Sequence, residues 1–452
     1  MLKRKITEGL VKWKNDPEKK SLLVKGARQV GKTFIIDDFA RKNYEVYVYI
    51  NFELAPKTRE IFAGDLDTGT LTREIDYRFN TRIVPGKTLI FLDEIQSCPP
   101  ARTAMKSFTL DKQYDVIASG SLLGLNYKDV PSYPVGYEEQ MTLHPMDFEE
   151  FLWAMGVGDD KISEVSLRLK SKEPLGNAAL DMFDGYFRQF MAVGGMPDVV
   201  RTYAKTRDLD QALSRQRAIV ETYRDDIAKY AYGRDKSNAR LCLDSIPAQI
   251  GKRFKISEAT GKSNVGMREY GSGLEWLYDS GITQWCYNVS EPALPLSVNR
   301  RFNVFKLYMW DTGLLASMME GGLAYSLVRD ENHVNRGKIA ENAIAGVIGG
   351  KEIMITYFEK KGNLEVDFIL NIGNQVTAVE VKSGNNAKSK SLDSVMSDRH
   401  NVPRGIKLER TDTCVDEKGV EHYPLFAAAF IFPDNSPHRP WVSPPTQSGK
   451  GP

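Results

Sequence analysis

Short apolar runs alternate with amphipathic segments along the first third of the chain. The runs lie within SLLVKG, VYVYINFE, GKTLIFLDEIQ and YDVIASGS, and each has the length of a strand rather than that of a helix. The continuous run TLIFL indicates a strand that is buried on both faces. Strands that alternate with helices predict a parallel α/β sheet, in which ligands bind beyond the carboxyl ends of the strands.

The segment between the first strand and the following helix has the sequence GARQVGKT. It matches G-x-x-x-x-G-K-T, in which the glycines let backbone N–H groups curl around phosphates. Lys32 supplies a cation to the β- and γ-phosphate oxygens, and the Thr33 hydroxyl coordinates magnesium at the helix N-terminus. The sequence therefore predicts a phosphate-binding loop that consists of Gly26, Ala27, Arg28, Gln29, Val30, Gly31, Lys32, Thr33 and Phe34.

Polar side chains end two later strands. Asp93 follows the TLIFL run, where it can hold magnesium through water, and Glu94 can polarise the water that attacks ATP. Ser119 and Ser121 end the run YDVIASGS. One hypothesis is that either serine senses the γ-phosphate, and the alternative is that it caps a helix over the following LLGL.

The order of these features distinguishes between classes of nucleotide-binding protein. A phosphate loop, an acidic pair and a polar strand end, in that order, fit the additional-strand class of P-loop proteins better than the GTPase or kinase-like class. The guanine-reading pattern NKxD is absent from the sequence. The predicted ligands are therefore ATP and Mg²⁺, and the predicted activity is ATP hydrolysis.

These motifs, together with others further along, make the chain resemble a known group. It is similar to prokaryotic AAA-family ATPases that carry a C-terminal domain of unknown function related to restriction-type nucleases. The matching stretches are GARQVGKT, YINFE, FLDEIQ, ASGSLLG, PVGYEEQMTLHPMDFEEFL, AVGGMPDVV, YRDDIAKY, KLYMWDTGLL, GKIAEN, EVDFIL and AVEVKSG. They extend from about residue 20 to about residue 430, which is nearly the whole chain.

The resemblance implies ATP binding at the phosphate loop, magnesium at Thr33 and Asp93, and hydrolysis through Glu94. It also implies a homo-oligomer, with a hexamer as one candidate, because AAA sites usually form between subunits and an arginine from the neighbour completes them. No motif identifies that arginine, and Arg224 in YRDDIAKY is offered as a hypothesis.

The middle of the chain is helical and basic. From Arg201 to Tyr270 it contains 15 Lys/Arg and 9 Asp/Glu, which fits either a phosphate-binding stripe or solvated helix faces. FKISEATGKSNVGMREYGSGLEWLYDSGITQW has the rhythm of a winged helix. Its second helix would present Lys262, Asn264 and Arg268 to a DNA groove. The alternative is that this winged helix contacts proteins or serves as a plain lid.

The C-terminal part begins with the helix GKIAENAIAGVIGG and continues with three strands, a helix and a last strand in HYPLFAAAFI. This order fits the core of PD-(D/E)xK nucleases. In that chemistry Asp367 and Glu380 bind Mg²⁺, Lys382 orients or deprotonates the attacking water, and Glu341 can add a ligand. Glu380 and Lys382 share one face because residues two apart on a strand point the same way. The alternative is a hairpin with solvated charges.

The predicted fold is therefore α/β, with a P-loop NTPase (AAA-type) parallel sheet core, a helical lid with a winged helix, and a C-terminal restriction-endonuclease-like α/β domain. We expect the ATPase core at 1–155, the helical lid and linker at 156–235, the winged helix at 236–325, the nuclease-like domain at 326–432 and a disordered tail at 433–452, which is rich in Pro, Ser and Gly.

Composition adds little to this picture. The 452 residues include 61 Lys/Arg and 59 Asp/Glu, so whole-chain charge neither requires nor excludes a polyanionic partner. The four cysteines are scattered and indicate neither zinc nor disulfides. The sequence has no signal-peptide core and no apolar run long enough to cross a bilayer, so we expect a cytoplasmic protein without a membrane partner.

The predicted function is that of an ATP-hydrolysing remodeller that forms a ring or partial ring on DNA, with branched or Holliday-junction DNA as the candidate substrate. Cleavage by the nuclease-like domain is a separate hypothesis. The alternative function is an ATP-dependent signalling or regulatory switch whose C-terminal domain binds a protein.

Overall fold

The computed structural model describes residues 2–121, 136–230, 234–261, 266–319, 322–331, 336–360, 364–384, 390–397 and 400–435. Several predictions concern residues outside this set. Lys262 and Asn264 lie outside the described residues, as does the side chain of Arg268. The same holds for the helix considered over LLGL and for residues 436–452 of the predicted tail.

The N-terminal third forms a parallel five-stranded sheet, as its alternating pattern predicts. The strands are β1 (Ser21–Gly26), β2 (Val46–Asn51), β3 (Thr88–Asp93), β4 (Asp115–Ser121) and β5 (Glu138–Thr142). Their order is β2-β3-β4-β1-β5, and every pairing is parallel. Strand β4 therefore lies between the strand of the phosphate loop and the strand that ends in Asp93, which is the arrangement of the additional-strand class.

Both faces of this sheet are covered, which explains the uninterrupted apolar run in β3. All six residues of β3 are buried. Leu89 and Phe91 pack into one apolar core, and Ile90 and Leu92 pack into another on the opposite face. The helices of this region are α1 (Ile6–Asn15), α2 (Lys32–Asn43), α3 (Thr68–Phe79) and α4 (Pro99–Asp111).

Helices make up most of the middle of the chain. They are α5 (Phe148–Ala154), α6 (Asp159–Lys170), α7 (Asn177–Val193), α8 (Pro197–Thr206), α9 (Leu209–Tyr230) and α10 (Arg234–Gln249). Between α7 and α8 the Gly-Gly turn approaches other backbone closely. A Cβ on Gly195 would lie 2.0 Å from the carbonyl oxygen of Met146, so only glycine fits at this joint between the ATPase region and the helices.

The centre of the segment predicted as a winged helix consists of two helices and an antiparallel strand pair. These are α11 (Ile256–Thr260), α12 (Met267–Asp279), β6 (Thr283–Val289) and β7 (Arg300–Met309). The strand pair does not stand apart as a wing, because β6 also pairs with a strand of the C-terminal part. The regions on either side of the boundary predicted between residues 325 and 326 therefore share one sheet, and the boundary itself stays a prediction.

That second sheet has eight strands in the order β12-β13-β11-β10-β9-β8-β6-β7. Its remaining strands are β8 (Thr356–Lys360), β9 (Leu364–Ile372), β10 (Gln375–Val381), β11 (Arg404–Glu409), β12 (Cys414–Val415) and β13 (Glu421–Pro424). The predicted last strand in HYPLFAAAFI is wrong for most of its length. Only Glu421–Pro424 is extended, and Leu425–Ala427 and Ala428–Ile431 are helical turns.

Five further helices complete the C-terminal half. They are α13 (Thr312–Ser317), α14 (Leu323–Val328), α15 (Arg336–Gly349), α16 (Lys390–Met396) and α17 (Ala428–Ile431). Helix α15 packs against β7 and β10, which brings its polar first turns to the sheet. In the described part of the chain, no helix has the length and apolar character that a membrane crossing requires.

Candidate functional site

The phosphate loop connects β1 to α2 at the carboxyl edge of the first sheet. Gly31 has a φ of 92°, a left-handed conformation that suits glycine. The Lys32 ammonium lies back over the loop, where Nζ donates to the carbonyl oxygens of Gly26 at 3.0 Å and Ala27 at 2.8 Å. Burial lowers the pKa of Lys32 to about 8, although Glu94 and Asp93 oppose that shift. The lysine is therefore a poorly solvated cation beside a cradle of backbone donors.

Asp93 is buried and accepts hydrogen bonds from several neutral groups. Its Oδ2 accepts from the Thr33 hydroxyl at 3.0 Å, the Tyr49 hydroxyl at 2.9 Å and the Asn51 amide at 3.0 Å. Its Oδ1 accepts from the Ser119 hydroxyl. The Thr33 hydroxyl and the Asp93 carboxylate are thus adjacent, as a magnesium ion bound to both, directly or through water, requires. These two residues fit the predicted ion.

The contributions of Tyr49 and Asn51 were not predicted. Both end β2, and the ladder pairs Asn51 with Asp93. The sequence does show that Asn51 ends an apolar strand. It does not show that this strand lies beside the strand of Asp93, so the contact could not be predicted.

Glu94 follows Asp93 with a φ of 55°, so the backbone turns sharply after β3. Its carboxylate accepts a hydrogen bond from the Gln96 amide. Burial raises the pKa of Glu94, and the nearby charge of Asp93 adds to that shift. A raised pKa brings a carboxylate closer to the range in which it can take a proton from water.

The two serines of β4 differ in their surroundings. Ser119 is fully buried and donates to Asp93. Ser121 is also buried and lies two residues further along β4. It pairs with Gly26 of β1, at the start of the phosphate loop. Ser119 therefore touches the acidic strand and Ser121 borders the phosphate loop, while the capping alternative lies outside the described residues.

Helix α9 contacts the phosphate loop directly. The Arg28 guanidinium lies 3.0 Å from the Asp226 carboxylate, and the Tyr223 hydroxyl donates to the Arg28 carbonyl oxygen at 3.3 Å. Arg224, on the same helix, forms ion pairs with Glu221 and Asp244. Within one protomer this arginine is therefore bound to acidic residues of the helical region, and its predicted role at a neighbouring subunit stays a prediction.

A further support of the phosphate loop comes from the N-terminus. The buried Arg4 guanidinium donates to the Val30 carbonyl oxygen at 3.1 Å, to the His144 carbonyl oxygen at 2.8 Å and to the Glu150 carboxylate at 3.1 Å. Sequence reasoning missed Arg4, because the charged start MLKRK resembles an ordinary solvated terminus.

A second group of charged residues lies in the C-terminal part of the chain. The ladder that pairs Val379 with Phe368 places Asp367 opposite Glu380, on one face of the β9–β10 hairpin. Asp367 Oδ2 accepts from the backbone N–H of Val381 at 2.8 Å. Burial, with the nearby charge of Glu341 as the next cause, raises the pKa of Asp367 to about 7. The predicted Asp367, Glu380 and Glu341 are thus brought near one another.

Lys382 and Glu380 share one face, as their spacing predicts. The Lys382 ammonium lies 2.5 Å from Glu380 Oε1, and Glu380 Oε2 is buried without a hydrogen-bond partner in the structure. Lys382 therefore neutralises the neighbouring carboxylate.

Glu341, on α15, has protein partners that the sequence did not reveal. Its Oε1 accepts from the Lys306 ammonium at 2.9 Å and from the Tyr308 hydroxyl, and its Oε2 lies 3.1 Å from the Lys338 ammonium. Lys306 and Tyr308 both come from β7, in the segment predicted as a winged helix. Where the chain is described, no three His, Cys, Asp or Glu side chains are grouped in a way that could hold a metal ion.

Comparison with known families supports the nucleotide site. Residues 18–152 match the family described as "AAA domain". This part of the chain is therefore similar to AAA domains. Two further families match outside it, each described as a domain of unknown function, DUF8612 over residues 184–323 and DUF4143 over residues 336–426. No curated protein matches the chain.

Solved structures similar to the chain have low sequence identity to it. A Walker-type ATPase of Pyrococcus abyssi is 13% identical, covers 70% of this chain and 96% of its own, and has a TM-score of 0.43. The Aeropyrum pernix ORC1 protein in complex with DNA is 14% identical, with coverages of 74% and 92% and a TM-score of 0.27. Thermotoga maritima RuvB is 15% identical, with coverages of 63% and 88% and a TM-score of 0.30.

Proposed function

We propose that the protein binds and hydrolyses ATP and that it acts on DNA as an oligomer. The observation that carries the first part is the convergence of Lys32, Thr33 and Asp93 at the carboxyl edge of the AAA domain's sheet. Parallel sheets bind nucleotides at this edge. The loop offers backbone donors to the phosphates, and Lys32 can swing from its own carbonyl contacts to the β- and γ-phosphate oxygens.

Each residue has a distinct role in this proposal. Thr33 and Asp93 would hold Mg²⁺, which would supply charge neutralisation to the phosphates. Glu94 accepts the proton of the attacking water, and its raised pKa suits that task. Ser119 is the better candidate for the γ-phosphate sensor, since it reaches Asp93 directly.

Measurement of ATP turnover tests the hydrolytic part. Lys32→Ala should lose turnover, because the phosphates lose their cation. The matched control is Lys42→Ala, which removes an exposed lysine near the end of the same helix. Equal turnover by Lys32→Ala and the wild type would refute the assignment of the site.

The surplus of basic residues between Arg201 and Tyr270 supports the DNA-directed part. This segment contains 15 Lys/Arg and 9 Asp/Glu. Within it, contact through Lys262, Asn264 and Arg268 remains a proposal. Gel shifts and ATP turnover with single-stranded, duplex and junction DNA test this part, at low salt because phosphate contacts weaken steeply with ionic strength. If no form of DNA changed the turnover, the mobility or the particle size, the DNA-directed proposal would fail.

The regulatory switch is the second candidate, and the contacts between the phosphate loop and α9 favour it. Asp226 and Tyr223 touch Arg28 within the loop, so a nucleotide that moves Arg28 also moves the helical region. The same DNA panel separates the candidates. A switch would change its protein partners on ATP binding and ignore every form of DNA.

Cleavage of DNA by the C-terminal region is a competing hypothesis, and it is incompatible with a metal-free role for this region. It would require Asp367 and Glu380 to hold a metal ion and Lys382 to orient the attacking water. The double variant Asp367→Ala, Lys382→Ala should abolish Mg²⁺-dependent nicking. Nicking that survives this change would come from another site.

A further inference from the structure

A buried lysine lies at the centre of the C-terminal carboxylates. The Lys306 side chain is 1% exposed, and its ammonium lies 2.9 Å from Glu341 Oε1 and 2.7 Å from Glu365 Oε1. An ammonium without water around it needs negative partners at this distance. Lys306 is therefore a buried, ion-paired cation rather than a flexible surface charge.

The surroundings of Lys306 hold it in place. It belongs to β7, where the ladder pairs it with Cys286 of β6, and its ammonium lies 5.0 Å from the centre of the Tyr357 ring. The neighbouring Tyr308 hydroxyl donates to the same oxygen of Glu341. The pairing with β6 fixes the backbone of Lys306 at the end of the eight-stranded sheet, and its buried side chain reaches Glu341 and Glu365 from there.

The charges around Lys306 nearly balance without any added ion. Four carboxylates are involved, those of Glu341, Glu365, Asp367 and Glu380, and three ammonium groups face them, those of Lys306, Lys338 and Lys382. A divalent cation added to this set would create a buried positive excess, which is costly in a medium of low polarity.

We propose that the Lys306 ammonium takes the place of a divalent cation among these carboxylates, and that the C-terminal carboxylates hold no metal ion. Glu341 is then a partner of lysine and not a metal ligand. The proposal concerns this region alone, so its failure would leave the ATP site untouched.

One acceptor remains outside this network. Glu380 Oε2 is buried and has no hydrogen-bond partner in the structure. Mg²⁺ commonly binds only one or two carboxylates and keeps several waters, so this oxygen is the point at which a metal ion could still enter the site. A metal probe therefore gives the decisive test.

The test measures Mn²⁺ binding to the nucleotide-free full-length chain by titration calorimetry and by the electron paramagnetic resonance signal of free Mn²⁺. Mn²⁺ binding is assigned to the C-terminal carboxylates only if the Asp367→Asn substitution removes it. This criterion excludes Mn²⁺ bound at the ATP site. The wild type should show no binding to the C-terminal carboxylates at millimolar Mn²⁺. Lys306→Ala should gain such binding, and Mn²⁺ should raise the Tm of this variant but not that of the wild type.

Lys338→Ala is the matched control. It removes another ammonium from Glu341, but the Lys338 side chain is 31% exposed and lies at the edge of the cluster. This variant should gain no Mn²⁺ binding, because Lys306 still occupies the centre.

Two outcomes would overturn the proposal. One is Mn²⁺ binding by the wild type that Asp367→Asn abolishes. The other is a folded Lys306→Ala variant that binds no Mn²⁺. If Lys306→Ala does not fold, it is refolded with and without Mn²⁺, and the proposal expects Mn²⁺ to promote its folding. The wild-type titration is also a test by itself, because Mn²⁺ binding through Asp367 in the wild type would refute the proposal.

Discussion

Two buried carboxylates, Asp93 in the AAA domain and Glu341 in the C-terminal region, are stabilised in opposite ways. Asp93 accepts hydrogen bonds from the uncharged groups of Thr33, Tyr49, Asn51 and Ser119. Glu341 accepts from two ammonium groups and one hydroxyl. Neutral donors stabilise a negative charge without cancelling it, whereas an ammonium cancels it.

This difference bears on which carboxylate can serve a metal ion. The charge of Asp93 stays available at the edge of a loop that is built for phosphates. The charge of Glu341 is already compensated within the protein. Burial of an acidic side chain near other acids is thus an incomplete signal for a metal site, because the identity of its donors decides whether a cation is still needed.

The largest expected effect is at the ATP site, where Glu94→Gln should bind ATP and turn it over slowly. Loss of a general base lowers the rate about 10²- to 10⁴-fold, while the phosphate loop and Lys32 remain intact. Filter binding of ATP and steady-state phosphate release measure the two properties separately. Normal turnover by Glu94→Gln would show that another group activates the water.

Glu341→Ala should destabilise the second sheet strongly. It would leave the buried Lys306 ammonium without its buried partner, and removal of one member of a buried pair costs about 3–5 kcal/mol. Urea unfolding followed by tryptophan fluorescence measures this loss through Trp285 on β6.

Glu365→Ala is the control for Glu341→Ala. It removes the other carboxylate that touches Lys306, but the Glu365 side chain is 45% exposed. Water replaces much of such a contact, so the loss should stay near or below about 1 kcal/mol. Similar losses for the two variants would mean that Glu341 is not the main partner of Lys306.

The parts of the structure that could be predicted were those with local patterns. GARQVGKT and the apolar strand before Asp93 each contain their own signal, so the phosphate loop and the parallel sheet follow from the sequence. The placement of Glu380 and Lys382 on one face of β10 depends only on the two-residue period of a strand. These features need no knowledge of which strands are neighbours.

The parts that could not be predicted depend on contacts between distant segments. Lys306 and Glu341 are separated by 35 residues, and Arg4 and Val30 by 26. Lys306 lies in RRFNVFKLYM, where it resembles any polar residue on the exposed side of a strand. Only the joining of β6 and β7 to the C-terminal sheet buries it. The sharing of one sheet across the predicted domain boundary could not be foreseen for the same reason.

Tyr49→Phe should lower ATP turnover by an intermediate amount. It removes one neutral donor from Asp93 Oδ2, and a hydrogen bond to a charged group contributes about 1.5–3 kcal/mol, equivalent to about a tenfold to hundredfold change. The Mg²⁺ dependence of turnover would show whether the orientation of Asp93 is the cause.

Tyr44→Phe is the matched control for Tyr49→Phe. The Tyr44 hydroxyl donates to Asp115 at 2.6 Å, at the opposite end of the same sheet. It should lower stability and leave the Mg²⁺ dependence unchanged. If both variants changed turnover alike, the effect would come from general loosening of the sheet.

The smallest expected effect is a pH dependence of ATP affinity that originates at Lys32. Burial lowers the pKa of this lysine to about 8 in the nucleotide-free protein, and phosphate charges favour its protonated form and raise that pKa on binding. Below pH 8 Lys32 is already charged, so it adds no pH dependence to the ATP affinity. Above pH 8 ATP binding must take up a proton, and affinity should fall about tenfold per pH unit.

Calorimetry at pH 7 to 9.5, in buffers of different ionisation enthalpy, measures both the affinity and the proton uptake. Lys32→Arg is the control, because a guanidinium stays protonated throughout this range. If its ATP affinity falls with pH as steeply as that of the wild type, the titrating group is not Lys32. If ATP affinity stays constant with pH for Lys32→Arg but falls for the wild type, the lysine is the cation that binds the phosphates. The ATP site would then contain a positive charge that can move, in contrast to the buried charge of Lys306.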